Sequence, residues 1–222
     1  MIPAEIEGYA YFRSACWDGS CEAAFVVPVG VDHRWAECVT LAYHEAIPGH
    51  YLQRAWAQQL GDLPLIRKYM NEPGFVEGWA TYAEDLAWES GWYEADPLAE
   101  ASYLFDVLWT AAQVVVDTGV YALGWTFDQV LDYLDRMLYY DRSYALQAYH
   151  RVLARPARQA PYLVGRLHLA ELRDRAEAAL GERFSLPAFH TVVLENGSIS
   201  LAALAATVCD YVIVETTWRR PT

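Results

Sequence analysis

Apolar residues recur every three to four positions from about His33 to the end of the chain, and that period predicts helices. The pattern places a helix from about Asp32 to Leu60, interrupted near Pro48-Gly49. A second covers Phe75 to Glu89 and is ended by Gly91. A third, Pro97 to Tyr121, opens with Pro and carries acidic residues near its start, where the helix dipole favours them. Thr126 is an N-cap for a helix to about Met137, with Asp128 in its first turn. Asp141 or Ser143 caps the next, which runs to about Ala154 before Pro156. Pro161 to Leu180 is amphipathic and finishes at Gly181; Ser185 caps Leu186 to Leu194; Asn196-Gly197 is a turn; Ser200 to Val214 closes the chain. Only the first thirty residues break the pattern. There Gly19, Pro28 and Gly30 surround Ala23-Ala24-Phe25-Val26-Val27, which reads as loop and a short strand. With no internal repeat and no linker, the expected architecture is mainly α, a single-domain helical bundle over residues 1–222 with a small β element near the N-terminus.

Composition narrows the class. The chain has 222 residues, 55% of them hydrophobic, with 9 Trp and 16 Tyr, enough apolar surface for a folded core. A formal net charge of −13 argues against nucleic acid as a partner, because phosphate recognition needs a basic surface. The stretch Ala101 to Trp125 is interrupted by Asp106 and Asp117, so it reads as a buried helix and not a membrane span. Met1 to Phe12 shows no basic region followed by an apolar core, and so no export signal. Cys16, Cys21, Cys38 and Cys209 form no Cys-x-x-Cys pair. They are expected to be reduced, buried thiols, a Cys16–Cys21 bridge being the less favoured alternative, and the expected compartment is the cytoplasm.

The chemistry concentrates in Tyr43-His44-Glu45-Ala46-Ile47-Pro48-Gly49-His50, followed 27 residues after His50 by Glu77-Gly78-Trp79-Ala80-Thr81-Tyr82-Ala83-Glu84. Two imidazoles and neighbouring carboxylates are the ligand types of a zinc hydrolysis site. Helical histidines usually share an ion four positions apart. His44 and His50 are six apart, roughly 120° around an ideal helix, so the motif demands a distortion. Pro48 and Gly49 are the residues able to make it, as a bulge that swings His50 back toward His44. Glu77 and Glu84 share one face of the later helix. Glu77 is the expected third ligand and Glu84 the partner of a ligating histidine's far nitrogen, with reversed roles left open. Glu45 diverges from His44 by about 100° on a helix. It can instead act as base toward a water activated by the ion. Zn2+ is the default cation for two imidazoles, one carboxylate and an open position. Trp79 and Tyr82 are expected in the core and Asp85 in solvent. The short strand of the first thirty residues is placed as an edge beside this site.

This set of motifs resembles the bacterial domain-of-unknown-function family 885, a group similar to the gluzincin-type zinc peptidases. The likeness continues through Val116-Asp117-Thr118-Gly119, Gly124-Trp125, Pro156 with Tyr162-x-x-Gly165, Leu180-Gly181-x-x-Phe184, and Phe189-His190 with Leu194-x-x-Gly197. It implies a zincin-like catalytic domain with His44, His50 and Glu77 as metal ligands, Glu45 as base, and Tyr121 or Tyr162 as donor to the oxyanion. Family members are commonly longer, with a helical region ahead of these motifs. This chain therefore resembles a short form, whose substrate channel is shallower or is completed by another subunit. Single positions also depart from the family pattern: Tyr121 stands where a His is usual, Gln113 where an Arg is typical, Val152 for a Tyr, Arg158 near a displaced Gln, and Leu163 for a Lys. The metal set is kept while groups expected to hold a peptide are changed. Arg151, Arg158 and Arg166 are candidates to bind a substrate carboxylate, against the plainer reading of solvated helix residues. His190 is a substrate-binding candidate by resemblance, or a structural histidine. His33, His150 and His168 carry no motif.

The leading expectation is a zinc-dependent hydrolase of an amide or related bond in a short peptide or small metabolite, with neither nucleic acid nor membrane as partner and an architecture compatible with a homodimer. The alternative keeps the metal and drops hydrolysis: a cyclase, lyase or isomerase acting on a biosynthetic intermediate. A binding protein that lost catalysis is a third reading, disfavoured because buried polar groups without a task are costly to keep.

Overall fold

A computed structural model describes residues 10–16, 18–28 and 35–217 of the chain. The expected helix start at Asp32, with His33 and Gly30, lies outside the described residues. The middle of the fold is a crossing of two helices, α4 (Pro73–Glu89) and α8 (Ala160–Leu180). Glycines make the crossing close: a Cβ on Gly165 would lie 2.0 Å from the Gly74 carbonyl oxygen and 2.6 Å from the Gly78 Cα. No side chain fits there, so the two backbones touch. Thr81 then donates its hydroxyl across the crossing to the Tyr162 carbonyl at 3.1 Å.

One face of α4 buries Phe75, Trp79 and Tyr82 in a core shared with α8, α9 (Leu186–Leu194) and α10 (Leu201–Thr217). The other face, with Glu77, Thr81 and Glu84, turns toward α1 (Trp35–Glu45) and α5 (Pro97–Leu123). A separate core holds α5 to α6 (Phe127–Leu138) and α7 (Arg142–Ala154) through Val116, Val130, Leu134 and Val152. A third cluster, with Tyr93 and Tyr103, joins α4 to the start of α5. Strands β1 (Tyr11–Arg13) and β2 (Ala24–Val26) form an antiparallel pair with Phe12 opposite Phe25. The chain is thus mainly helical with a small β element near the N-terminus, as expected.

Local chemistry set most boundaries. Thr126 and Gln129 make a reciprocal capping box, Asp141 caps α7, Ser185 caps α9, and Gly181 ends α8 with positive φ. Two short elements were not expected: α3 (Leu65–Tyr69) and β1. The buried-helix expectation for Ala101 to Trp125 holds on one face only, because Leu104, Phe105, Leu108 and Val115 of α5 are exposed. Among the described residues no helix is long and apolar enough to cross a membrane.

The cysteine expectation needs correction. Cys16 and Cys21 form a disulfide that closes the loop between the strands, while Cys38 is half-buried and Cys209 exposed. The backbone explains the pairing: Cys16 N–H donates to Cys21 O and Gly19 N–H to Cys16 O, so the turn between the strands faces the two side chains together.

Candidate metal centre

The helix that carries both histidines is fully broken rather than bulged. α1 ends at Glu45 and α2 (His50–Gln59) begins at His50, with a cis Ile47–Pro48 peptide between them. Through the break, Gly49 N–H donates to Tyr43 O at 3.0 Å and Tyr51 N–H to Ala46 O at 3.1 Å, in place of the i−4 ladder. Gly49 is obligatory, because a Cβ there would lie 1.8 Å from His44 O. Trp79 of α4 pins the turn by donating its indole N–H to Pro48 O at 2.9 Å. The expected distortion is present, but as a break between two helices held from a neighbouring one.

This break brings the His44 and His50 rings to a centroid distance of 4.8 Å, edge to face. His44, Glu45 and His50 each offer a ligand atom within 4.8 Å of the others, so the group could hold a metal ion. Glu77 joins them from α4. Its Oε2 lies 3.4 Å from His50 Nε2 and 3.7 Å from His44 Nε2. Glu84 Oε1 is 2.6 Å from His44 Nδ1, which fixes that ring and leaves Nε2 for a cation. Glu77 thus faces both imidazoles and Glu84 lies behind one. Among the described residues His50 lacks such a partner: its Nδ1 is buried without a hydrogen bond. Glu45 accepts the Phe12 N–H of β1 at 2.7 Å through Oε2, so the edge strand does lie against the site, although it is β1 and not the expected Ala23–Val27 segment.

The donor chemistry suits a divalent cation: two imidazole nitrogens and a carboxylate oxygen share one focus, in a position only 8–9% exposed at His44 and His50. Without a metal the same groups form an ion cluster. Burial alone would lower the pKa of His44, but the Glu77 and Glu84 carboxylates outweigh it and push it up to about 10. Burial would likewise raise Glu77, yet His44 and His50 hold it well below the usual carboxylate range. For the metal-free fold, the His44 shift contributes stability that is fully present below pH 6.5 and is lost as pH rises through about 10. A cation must displace that proton. Metal affinity should therefore strengthen about tenfold per pH unit between about pH 6 and 8, read by competition titration against a chelating dye. An affinity independent of pH would show that His44 releases no proton on binding.

These residues line a half-open cavity of about 800 Å³ bordered by β1, α1, α2, α4, α5 and the α7–α8 corner. Tyr162 belongs to it, with its ring stacked 6.1 Å from His44. Burial and the Glu77 charge raise its phenol pKa, so it stays protonated and able to donate. Arg151 and Arg158 also line the cavity. Tyr121 does not reach it. One turn beyond Asp117 on α5, its half-exposed side chain lies past the cavity, and its hydroxyl donates to Val152 O at 3.2 Å or Leu153 O at 3.3 Å. His190 also stays outside. It packs behind Trp79, 3.1 Å from the Tyr82 hydroxyl, and burial lowers its pKa to about 4.

Arg166 is no carboxylate receptor, because it is paired with Asp85, which in turn accepts from Tyr103 at 2.6 Å. Asp85 is accordingly not solvated. Trp79 and Tyr82 are in the core, each 1% exposed. His168 packs against Leu201 O at 3.1 Å.

Sequence reasoning missed the α5 wall. Asp106, Thr110, Gln113 and Asp117 form a polar stripe at helical spacing on an otherwise apolar helix, and all four line the cavity. Burial, helped by Glu84 and Glu37, raises Asp106 to about 7. Asp117 and Gln113 carry a signal in the family-like positions of the sequence, whereas Asp106 and Thr110 belong to no motif and show only as polar interruptions of an apolar helix.

The sequence model of a family described as "Bacterial protein of unknown function (DUF885)" matches residues 2–208. No curated protein matches the chain. Among solved structures, it is similar to one described as a "putative lipoprotein from Colwellia psychrerythraea", with 32% identity, a TM-score of 0.87, and coverage of 96% of this chain and 37% of that one. It is also similar in fold to a "putative lipoprotein of unknown function from Shewanella oneidensis", with 22% identity, a TM-score of 0.80, and coverage of 90% and 39%. The chain thus spans less than two-fifths of these longer proteins. The cytoplasmic expectation is overturned: lipoproteins are exported, and the Cys16–Cys21 disulfide suits an oxidising compartment.

Proposed function

The chain belongs to the DUF885 family of bacterial proteins of unknown function, and we propose that it is a zinc-dependent hydrolase of an amide or related bond in a short peptide or small metabolite. The observation that carries this reading is the convergence of His44 Nε2 and His50 Nε2 on one oxygen of Glu77, beside a second carboxylate, Glu45. Zinc held by these three ligands would polarise a substrate carbonyl and acidify a water.

The remaining steps belong to the protein. Glu45 is buried and its Oε2 is held by the Phe12 N–H, which fixes the carboxylate without neutralising it. It takes the proton of the attacking water and passes it to the departing nitrogen. Tyr162, kept protonated beside Glu77, donates to the oxygen on which negative charge develops. With Tyr121 committed to backbone carbonyls, that role falls to Tyr162 alone. Glu84 positions His44 and increases its basicity. A cavity of about 800 Å³ suits a substrate of a few residues.

Incubation of the zinc-loaded protein with a peptide and metabolite mixture in heavy-oxygen water tests the reading. Hydrolysis places one labelled oxygen in each new carboxyl group. Products formed without label would reject hydrolysis in favour of a lyase, cyclase or isomerase built on the same ligands.

A further inference from the structure

We infer that the corner where α7 gives way to α8 is a carboxylate-binding subsite, so that the substrate carries an anionic group that docks on Arg158 and Arg151. This rests on the hydrolase reading for its place in a reaction.

The cavity is electrostatically two-sided. Arg151, Arg155 and Arg158 line it at the corner, in a chain whose formal net charge is −13. Glu37, Glu45, Glu77, Glu84 and Asp106 line the α1, α4 and α5 sides, while one carboxylate, Asp117, reaches the corner. An anion entering the cavity is repelled by those sides and drawn to the arginines. Among the described residues the Arg158 side chain makes no hydrogen bond or ion pair within the protein, unlike Arg166, which Asp85 neutralises.

The corner is also rigidly placed. Asp117 of α5 accepts the Ala157 N–H at 2.6 Å, and Ala157 takes a positive φ of 60° to make the turn. The 21-residue helix α8 starts here without a side-chain cap, so its positive end adds to the arginine charge.

A second, independent observation points to a missing acceptor. Gln113 lies on α5, which packs against α7, and it lines the same cavity. It is 1% exposed, yet its side-chain amide nitrogen has no hydrogen-bond partner among the described residues. A buried donor facing a cavity costs free energy unless something accepts from it. A carboxylate held by a guanidinium fork has lone pairs to spare for that donor. The corner is continuous with the reacting groups: Arg158 precedes Tyr162 by four positions across the start of α8, and both line the cavity. An anchored carboxylate would therefore lie in the same cavity as the bond presented to Tyr162 and Glu45.

The test is binding, which needs no turnover. Trialanine, its C-terminal amide, and the amide of Ala-Ala-Glu are titrated into the zinc-loaded Glu45→Gln protein, and again after zinc removal, by calorimetry or ligand-observed NMR. Trialanine should bind at least about tenfold more tightly than its amide, with or without zinc. Arg158→Ala and Arg151→Ala should each remove about tenfold of that preference, and Arg158→Lys should restore part of it. If the Glu amide matches trialanine, a side-chain carboxylate serves; if only trialanine binds, the C-terminal carboxylate is the recognised group. Equal binding of acid and amide, no binding of any probe, or a preference unchanged in Arg158→Ala overturns the subsite. Labelled hydrolysis products without an acid preference would reject the subsite alone. An acid preference without hydrolysis would reject the hydrolase reading alone.

Discussion

Glu45→Gln should reduce turnover by about a thousandfold or more while zinc content and fold are preserved. The substitution isolates the proton-transfer role because of what Glu45 touches. Its Oε2 accepts the Phe12 N–H at 2.7 Å, and a Gln carbonyl oxygen can accept the same bond, so the contact between β1 and the site is retained. The amide cannot take a proton at neutral pH. His44, His50 and Glu77 are unchanged and still share a focus. Turnover on a confirmed substrate, thermal melting and elemental zinc content are measured together. Activity within a few-fold of the parent would remove Glu45 from the mechanism. Loss of zinc alongside activity would instead make it a ligand, consistent with its place within 4.8 Å of both histidines.

Gly165→Ala carries the largest expected effect on stability, of about 3 kcal/mol or more. One methyl group there would lie 2.0 Å from the Gly74 carbonyl oxygen, and that oxygen belongs to backbone, so it cannot step aside as a flexible side chain would. α4 and α8 would have to separate. Glu77 sits on α4, whose placement against His44 and His50 depends on its packing on α8, so separation should also weaken metal binding. Urea denaturation reads the first effect and zinc titration the second. A melting curve that overlays the parent's would show that the crossing yields more easily than its backbone contacts indicate.

Much of this structure is legible in the residues, for reasons that differ by element. Caps act within one turn, so Thr126, Asp141, Ser185 and Gly181 announce their helix ends without reference to the rest of the fold. The metal motif is legible because its difficulty is geometric: six residues separate two histidines, and Pro48-Gly49 stand where a break is required. What spacing does not convey is how the break is held. The indole of Trp79 reaches Pro48 from a helix that begins more than twenty positions later.

Long-range partners account for most of the errors. Asp85 reads as solvated until Arg166 arrives from 81 residues away. Tyr121 matches a family position, but one turn of α5 beyond Asp117 carries it past the cavity, where α7 carbonyls accept its hydroxyl. The disulfide is invisible to spacing alone, because it is the strand pairing of the hairpin that places Cys16 against Cys21. α3 is five residues long with Leu65 and Ile66 exposed, too short and too open for periodicity to register.

The central claim is that His44, His50 and Glu77 bind one cation together. Elemental analysis after zinc loading and exhaustive dialysis, on the parent protein and on His50→Ala, tests it most directly. The expected result is about one zinc per parent chain and less than about a tenth of that in the variant. A parent chain that holds no zinc, or a His50→Ala chain that holds as much as the parent, would contradict it.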